Sequence, residues 1–332
     1  MSITIKDVAK KTGVSIATVS RIVNNQSGYS EKTRKKVVQA IAELGYSPNA
    51  LARGLVGQAT RTIGVLLPNV SSLFAGKLLE GIESAAQQQG YSVVVCNTGS
   101  EGERTDDYLA VLKQKRVEGV LYASGVFSKE MAEKLAGIGM PAVTVATKSH
   151  EETVPFVKVD DRTAAFDGTS YLIEKGHRKI AFIGGELSDP VAGLPRFEGY
   201  REALAAHGLK VDDHLLRFGD FRFEAGKEQM QSLLESETAF TAVFATSDEM
   251  AVGALHAARE GGVRVPEDLS VLGYDNTLAA EMALPPLTTV EQPLRSMGEA
   301  AFASLTGERK SVTAGHKIVE RQTVVQIEED IK

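Results

Sequence analysis

The 332-residue chain contains a single cysteine, Cys96, and no tryptophan. One thiol excludes an internal disulfide and any CxxC metal or redox site. The sequence also lacks an unbroken apolar run of about 18 residues, which excludes a transmembrane helix and a membrane as partner. Its N-terminus carries Lys6, Asp7, Lys10 and Lys11 without the apolar core of a signal peptide. We therefore expect a cytoplasmic protein.

The motifs of several catalytic classes are missing as well. No Walker loop, GxGxxG run or GxSxG elbow is present, and the six histidines form neither an HExxH motif nor a spaced ligand cluster. In enzymes that have them, these motifs hold phosphates, expose a nucleophilic serine or bind zinc. Asp and Glu total 43, but the sequence marks no pair of them as catalytic. We expect no cofactor, no metal ion and no enzyme activity.

Lysine and arginine are concentrated at one end of the chain. Residues 1–58 carry nine Lys or Arg and three Asp or Glu, a net charge of +6. The remainder has 28 Lys or Arg and 40 Asp or Glu, a net charge of −12. Chance asymmetry of a solvated surface is one explanation. The other is a basic head that contacts a polyanion while the acidic body avoids it.

Three short helices are predicted in this basic head. Thr4–Asp7 has the pattern of a capping box, Gly13 ends the first helix, and Ser15 caps a second helix over 16–23. Such residues occupy these helix ends because they satisfy free N–H groups or allow a left-handed turn. A third helix follows Ser30. Two helices joined by a short glycine-containing turn are typical of a helix-turn-helix, whose second helix enters the major groove of DNA.

The second helix carries side chains suited to bases and phosphates. Arg21 can donate two parallel hydrogen bonds to guanine, and Ile16 and Ala17 suit a thymine methyl group. Short polar groups that can bind phosphates and fix the register are Ser15, Thr18 and Asn24. Taken alone, Arg21 could equally be an ordinary surface arginine. The combination of helix pattern, position and side chains favours DNA binding.

Residues 47–60 are predicted to be a hinge between head and body. Pro48 is a helix-start signal, but the segment is short and Gly54 weakens it. A marginal helix of this kind would fold only with the help of DNA and a partner chain. Leu55 would then be the apolar side chain that wedges between base pairs in the minor groove.

After Thr62, strands alternate with helices. Strands are predicted at 63–68, 91–96, 119–122 and 141–145, and the pattern restarts with strands at 179–184, 215–218, 241–245 and 269–274. The predicted helices include 109–115, 196–207 and 248–260. This alternation implies an α/β body with parallel sheets covered by helices on both faces. Two lobes of one design suggest a cleft between them, with ligand groups at the carboxyl ends of strands.

Short motifs in both parts of the chain resemble one family. They are Asp7-Val8-Ala9, Thr18-Val19-Ser20-Arg21 and Gly45-Tyr46-Ser47-Pro48-Asn49 in the head, and Gly176-His177-Arg178-Lys179-Ile180, Gly273-Tyr274-Asp275 and Leu287-Thr288-Thr289-Val290 in the body. As an ordered set they resemble the LacI/GalR family of bacterial transcriptional regulators. The resemblance implies a three-helix head and a two-lobed body like periplasmic sugar-binding proteins. It also implies a homodimer that reads a near-palindromic operator in double-stranded DNA.

The resemblance further implies a division of the chain. Residues 1–46 would form the helix-turn-helix domain, 47–60 the hinge helix and linker, and 61–332 the effector-binding and dimerisation domain. Within the latter, the first lobe would comprise about 61–160 and 292–320, and the second about 161–291 and 321–332. A small molecule, most often a sugar or sugar phosphate and sometimes a nucleobase, would bind between the lobes and control hinge-helix formation on the operator.

The family's functional positions are carried over residue by residue. Ile16, Ala17 and Arg21 fall on its base-reading positions, and Leu55 falls on its intercalating hinge leucine. The residues similar to its pocket positions are Leu73, Phe74, Asp160, Arg196, Phe221, Ser247, Asp248, Asp275 and Gln292. Carboxylates that accept from hydroxyls, an arginine that donates and a flat phenyl face suit a polyol. Lys77 departs from the family pattern, since many members carry an acid there, and leaves the charge of the ligand open.

Several alternatives stay open at this point. Asp248 could cap its own helix, and Arg196 and Asp275 could pair with each other. The chain could also be a solute-binding protein, a sugar-metabolising enzyme, or a regulator that responds to a phosphoprotein, as one branch of the family does. The basic head favours a ligand-responsive repressor of carbohydrate-metabolism genes over a solute-binding protein, no motif supports an enzyme, and the involvement of a phosphoprotein stays open.

Overall fold

The computed structural model describes residues 3–23, 26–46, 60–148, 153–236 and 238–327. The chain divides into two compact units, Met1–Thr60 and Arg61–Lys332. Asn24 and Leu55, both predicted DNA contacts, lie outside the described residues, as does the hinge up to residue 59. Within the described ranges, no helix combines the length and apolarity needed to span a bilayer.

The first unit is a bundle of three helices, α1 (Ile5–Thr12), α2 (Ile16–Val23) and α3 (Glu31–Leu44). Its small core is formed by one stripe from each helix and includes Val8, Val19 and Val37, each 0% exposed. The predicted capping box is confirmed, because Thr4 and Asp7 satisfy each other's groups at the start of α1. Ser15 and Ser30 cap α2 and α3 as predicted, by accepting from main-chain N–H groups three residues on.

The second unit contains two six-stranded sheets. The first has the strand order β11-β5-β4-β3-β1-β2 and the second the order β12-β10-β9-β8-β6-β7. Neighbouring strands are parallel except β10 and β12, which are antiparallel. The strands are β1 (Thr62–Leu67), β2 (Ser92–Asn97), β3 (Val120–Ala123), β4 (Ala142–Val145), β5 (Phe156–Val159), β6 (Ile180–Gly185), β7 (Leu216–Gly219), β8 (Ala242–Ala245), β9 (Ser270–Asp275), β10 (Thr288–Glu291), β11 (Val312–Ala314) and β12 (Lys317–Val319).

Helices cover these sheets and pack in pairs against one another. They are α4 (Leu73–Gln88), α5 (Thr105–Gln114), α6 (Lys129–Gly137), α7 (Asp161–Glu174), α8 (Gly193–Ala206), α9 (Phe223–Leu234), α10 (Asp248–Glu260), α11 (Leu278–Met282) and α12 (Leu294–Thr306). The pair α4 and α12 meets at two glycines: a Cβ at Gly81 would lie 2.0 Å from the main-chain oxygen of Arg295, and one at Gly298 would lie 2.3 Å from that of Leu78. Only glycine permits backbones to approach so closely.

Each sheet with its helices forms one lobe, and the chain passes between the lobes three times. It crosses after β5, after β10 and between β11 and β12, so that α12 belongs to the first lobe and Lys317–Val319 to the second. The sequence analysis assigned residues up to about 320 to the first lobe. The difference arises because β12 pairs with β10 of the second sheet. This pairing is non-local, and a local sequence pattern does not predict it.

Two helix starts also differ from the sequence analysis. Helix α5 begins at Thr105 rather than 109. The apolar pattern did not reveal its first turn, because that turn is polar and includes Asp106 and Asp107. Helix α8 begins at Gly193 rather than 196. Pro195 lies within the first turn of α8, where the N–H group that proline lacks is not needed for an intrahelical hydrogen bond. The short strands β5, β10, β11 and β12 were not predicted, since three or four residues are too few for a clear period.

Candidate functional site

Helix α2 packs one face into the core of the first unit and presents the other to solvent. Val19 and Ile22 are buried, whereas Ile16 is 45% exposed and Ala17 and Arg21 are exposed. Ala17 and Arg21 are one helical turn apart and therefore point in similar directions. A methyl-rich helix start followed one turn later by a guanidinium is the arrangement expected of a helix that reads base edges.

Two of the predicted phosphate contacts bond to each other at the start of α2. Ser15 Oγ accepts from the Thr18 N–H at 3.1 Å and lies 2.9 Å from Thr18 Oγ1. Ser15 is exposed and Thr18 half-buried. The cap fixes the helix start, and phosphate binding by these two hydroxyls stays a prediction.

A buried ionic cluster lies where the chain first crosses between the lobes. Asp161, the first residue of α7, is 3% exposed and accepts from Lys158 Nζ, from Arg196 Nε at 2.8 Å and from the Tyr274 hydroxyl at 3.1 Å. Arg196 Nη1 donates to the main-chain oxygen of Thr246 at 2.6 Å, and its Cζ lies 3.9 Å from the centroid of the Tyr274 ring. The cluster joins the carboxyl ends of β8 and β9 to the crossover.

The two main members of this cluster stay charged. Burial alone would raise the pKa of Asp161, but Arg196 and Lys158 outweigh it and hold that pKa below its usual value. Burial also disfavours the charged guanidinium of Arg196, and the neighbouring Asp161 overcomes this and raises the pKa. Arg196 therefore pairs with Asp161 rather than with Asp275, which answers one question left open by the sequence.

Asp275 ends β9 with a backbone φ of 109°, a region that side chains other than glycine seldom occupy. It is 5% exposed and accepts one hydrogen bond, from Gln292 Nε2 at 2.8 Å. Burial raises its pKa to about 8, with Arg196 opposing and Asp248 adding to the rise. Burial therefore favours the protonated form of this carboxyl group, and the described residues supply it with no second side-chain hydrogen bond.

The carboxylate of Asp248, a predicted ligand contact, is engaged within the protein. Its carboxylate accepts from the Thr277 N–H at 2.6 Å, the Thr277 hydroxyl at 3.0 Å and the Thr289 hydroxyl at 2.6 Å. The residue is 0% exposed, so its carboxylate holds the turn after β9, and a ligand contact by Asp248 stays a prediction. The cap of α10 is Ser247, whose Oγ accepts from the Met250 N–H at 3.1 Å.

Burial raises the pKa of Asp248 to about 6, although the hydrogen bonds from Thr289 and Thr277 lower it. These donors favour the charged form of the carboxylate. Asp248 and Asp275 thus form a pair of buried carboxyl groups, of which Asp248 has three donors and Asp275 has one.

Phe221 supplies an aromatic face beside this cluster. Its backbone φ is 68°, and its ring lies so close to Gly185 that a Cβ there would be 2.1 Å from the ring. The Cζ of Arg196 is 5.7 Å from the ring centroid, and Ser247 Oγ donates to the Phe221 main-chain oxygen at 2.8 Å. Phe221, Ser247, Arg196, Asp275 and its partner Gln292 therefore form one group in the second lobe.

The other predicted ligand contacts are placed elsewhere. Leu73 is 40% exposed, and its N–H donates to Glu249 Oε1 of the second lobe at 3.0 Å. Phe74 is half-buried and packs against the core of its unit. Asp160 is exposed and caps α7 by accepting from the Thr163 N–H at 3.1 Å. A ligand contact by any of these three stays a prediction.

The sequence analysis missed four polar residues near the crossover. Lys158 and Asp161 belong to the ionic cluster, and the hydroxyls of Thr147 and Thr246 are buried without a hydrogen-bond partner in the part of the chain that is described. Lys158, Asp161 and Thr147 line a cavity of about 360 Å³ with walls from both lobes. Their positions in the sequence could have indicated a site. Asp161 directly follows the predicted contact Asp160, and the two threonines follow strands β4 and β8 at their carboxyl ends. Over the same ranges, no group of His, Cys, Asp and Glu is placed to hold a metal ion.

Two family models match consecutive parts of the chain. Residues 4–49 match the model of bacterial regulatory proteins of the lacI family. Residues 60–321 match the model of periplasmic binding proteins and the sugar binding domain of the LacI family. The chain belongs to the LacI family. This LacI-family member is a DNA-binding transcriptional regulator, and the resemblance stated from its motifs is confirmed.

Full-length relatives agree with this identification. Catabolite control protein A of Priestia megaterium is 37% identical over 332 residues, which cover 100% of both chains. The lac repressor dimer bound to operator and the anti-inducer ONPF is 30% identical, with a TM-score of 0.87 over 98% of this chain and 100% of that one. The transcriptional regulator CelR in complex with cellobiose is 34% identical, with a TM-score of 0.73 over 97% and 99%.

Proposed function

We propose that this LacI-family regulator is a homodimeric repressor of carbohydrate-metabolism genes, cytoplasmic and without catalytic activity. A small molecule bound between the lobes of the second unit would change its affinity for operator DNA. The observation that carries the ligand site is the group around Asp275, a buried carboxyl with a single hydrogen bond, next to Arg196 and Phe221. Such a ligand shifts DNA affinity only if it binds the two states of the protein unequally.

The chemistry of this group favours an uncharged polyhydroxylated ligand. Arg196 already pairs with Asp161, although Lys158 shares that carboxylate and leaves the cluster with one net positive charge. Asp275 offers a carboxyl group whose raised pKa favours the protonated form, and Thr246, whose main-chain oxygen accepts from Arg196, offers a buried hydroxyl without a partner among the described residues. These groups both donate and accept, which complements sugar hydroxyls. The cellobiose complex of the relative CelR supports the same class.

The proposal is tested with the full-length protein. Its preferred sites are first selected from random duplex DNA, and affinity for them is then measured in the presence of cellobiose, glucose, ribose and glucose 6-phosphate. We expect a specific site and a change of affinity of about 5- to 150-fold with at least one uncharged sugar. Failure to prefer any site over random duplex would reject DNA recognition. A response restricted to the phosphorylated sugar would reject an uncharged ligand.

Arg21→Ala is expected to weaken binding to the selected site by about 1–3 kcal/mol and to relax preference at one base pair. The reason is the loss of two parallel hydrogen bonds to one base. The control is Arg34→Ala on α3, whose guanidinium is exposed and pairs with Glu31 at 3.3 Å. We expect this control to act equally on all sequences. An equal loss on every sequence for Arg21→Ala would make Arg21 a phosphate contact instead.

Exposed apolar side chains of the second lobe support a homodimer interface. Leu278 is 55%, Met282 70% and Leu284 83% exposed, and the three lie within seven residues on and after α11. Met282→Asp with Leu284→Asp is expected to give a monomer, because each charge would be buried against its own copy in a two-fold interface. Analytical ultracentrifugation measures this, with Val111→Asp on α5, 40% exposed in the native chain, as control. A dimer that persists in the double variant would exclude this surface.

A further inference from the structure

Two hydrogen bonds from the start of α4 cross from the first lobe to the second. The Leu73 N–H donates to Glu249 Oε1 at 3.0 Å, and Lys77 Nζ donates to the main-chain oxygen of Asn276 at 2.6 Å. Leu73 and Lys77 are four residues apart, so they lie on one face of the helix. Both acceptors belong to the second lobe, Glu249 in α10 and Asn276 in the turn after β9.

Glu249 lies at the N-termini of two helices at once. It is the second residue of α10, and its carboxylate also accepts from the first N–H of α4. N–H groups of a first helical turn have no partner within their own helix, and a carboxylate near them is favoured by the helix dipole. Separation of the lobes would return the Leu73 N–H to water and leave Glu249 at one helix end only. The contact therefore favours the closed arrangement, in which α4 of the first lobe touches α10 of the second.

The second acceptor, Asn276, is held firmly in place. Its backbone φ is 54°, its Nδ2 donates to Glu291 Oε2 at 2.6 Å, and its Oδ1 accepts from Arg321 Nη2 at 2.7 Å. The residues on either side, Asp275 and Thr277, are fixed by the hydrogen bonds described above. Because the turn 275–277 is tied at several points, we expect it to move as one unit. A displacement of Asp275 would then also move the Asn276 carbonyl that accepts from Lys77 of the opposite lobe.

We propose that Lys77 and Glu249 form a two-point latch that holds the lobes closed, and that the turn 275–277 couples this latch to the cleft. Occupancy of the site at Asp275 displaces the turn and so moves the acceptor of Lys77, one residue away. The equilibrium between closed and open lobes then shifts by the difference in ligand affinity for the two states. The coupling step rests on the proposed function, whereas the latch itself does not need the ligand.

The latch is tested by measuring the distance between the lobes in the full-length protein. Nitroxide labels are attached after Lys129→Cys on α6 of the first lobe and Glu228→Cys on α9 of the second, both exposed. The buried thiol is removed by Cys96→Ser. Double electron–electron resonance is recorded with the labelled chain diluted into excess unlabelled chain, so that only pairs within one chain contribute.

Lys77→Met and Glu249→Gln are each expected to shift the population towards longer distances, and together to shift it further. Lys113→Met and Glu224→Gln are matched controls, since they remove the same charges from exposed positions of α5 and α9, and we expect them to leave the distribution unchanged. Asn276→Gly keeps the positive φ but releases the carbonyl. Added to Lys77→Met it should have no further effect, because both act on one hydrogen bond.

Two results would overturn the latch. One is an unchanged distance distribution in the Lys77 and Glu249 variants, and the other is full additivity of Asn276→Gly with Lys77→Met. Binding of the same samples to their selected DNA site is measured in parallel. Specific DNA binding with unchanged distances rejects the latch and leaves the proposed function intact, whereas longer distances without specific DNA binding support the latch and reject the proposed function.

Discussion

Arg196→Met is expected to lower the free energy of unfolding by about 3 kcal/mol, the lower end of the range for breaking a buried ion pair. Arg196 is 6% exposed, and its Nε lies 2.8 Å from Asp161 Oδ1. Without Arg196, the buried carboxylate of Asp161 keeps Lys158 as its charged partner among the described residues. This remaining pair moderates the loss of stability. Methionine can still pack on the Tyr274 ring, because its side chain is long and flexible. Urea denaturation at pH 7 measures the change.

A surface ion pair provides the control for this prediction. Arg162 pairs with Glu202 where the two side chains are 53% and 38% exposed, and Arg162→Met should cost clearly less stability than Arg196→Met because solvent screens the pair. Asp161→Asn combined with Arg196→Met should recover little of the loss, because removal of the Asp161 charge deprives the largely buried Lys158 of its partner. A cost for Arg196→Met no larger than that of the surface control would show that the buried pair does not stabilise the second unit.

Asp275→Asn is expected to stabilise the protein, and by more as the pH rises. The pKa of Asp275 is raised from 3.8 to about 8 in the folded chain, so the folded state binds more protons than the unfolded state between these values. Stability therefore falls as the pH rises through this window, and the full penalty is present above about pH 8. One pKa unit corresponds to about 1.4 kcal/mol, which places the gain from asparagine at several kcal/mol at pH 9 and near zero at pH 4.

Asparagine suits this position because it tolerates a positive φ and can still accept from Gln292. Asp248→Asn is the matched control with the opposite expected sign. Asp248 accepts through both oxygens, so an amide nitrogen would face a donor and leave a buried group unsatisfied. Thermal unfolding of both variants from pH 4 to 9 measures these effects. A pH-independent effect of Asp275→Asn would show that Asp275 is already ionised in the folded protein.

A carboxyl group that destabilises the fold at the end of β9 supports the proposed ligand site. Groups with strongly shifted pKa values concentrate at functional sites, and stability is commonly lower there. Asp275 retains hydrogen-bonding capacity that the fold does not use. By contrast, Asp248 and Asp161 are fully engaged within the protein, and their substitution should act on structure before it acts on binding.

The first unit could be predicted almost completely from its sequence. Its helix boundaries depend on caps and left-handed turns that act over three or four residues, such as the Thr4 and Asp7 pair and Ser15. The alternation of strands and helices in the second unit could be predicted for the same reason, because hydrophobic periods also depend on near neighbours. The short strand β12 and the crossing at residue 317 were not, because they depend on pairing between distant segments.

For the site, the sequence predicted residue types better than roles. Asp248 and Asp275 were both expected to contact ligand, and they differ only in the donors that folding brings to them, three for Asp248 and one for Asp275. The partner of Arg196 was expected to be Asp275 or a ligand, and it is Asp161, 35 residues away in the chain. Neither result follows from any local pattern.

The amino-acid order alone thus determined a basic three-helix head, an α/β body of two similar lobes and the family to which they belong, because hydrophobic period, capping and charge act between near neighbours. Tertiary structure decided which carboxyl group has the more strongly raised pKa, which carboxylate pairs with Arg196, and where α4 touches the opposite lobe through Leu73 and Lys77. Those outcomes depend on desolvation and on contacts between residues as many as 199 positions apart, and both exist only after the lobes have folded together.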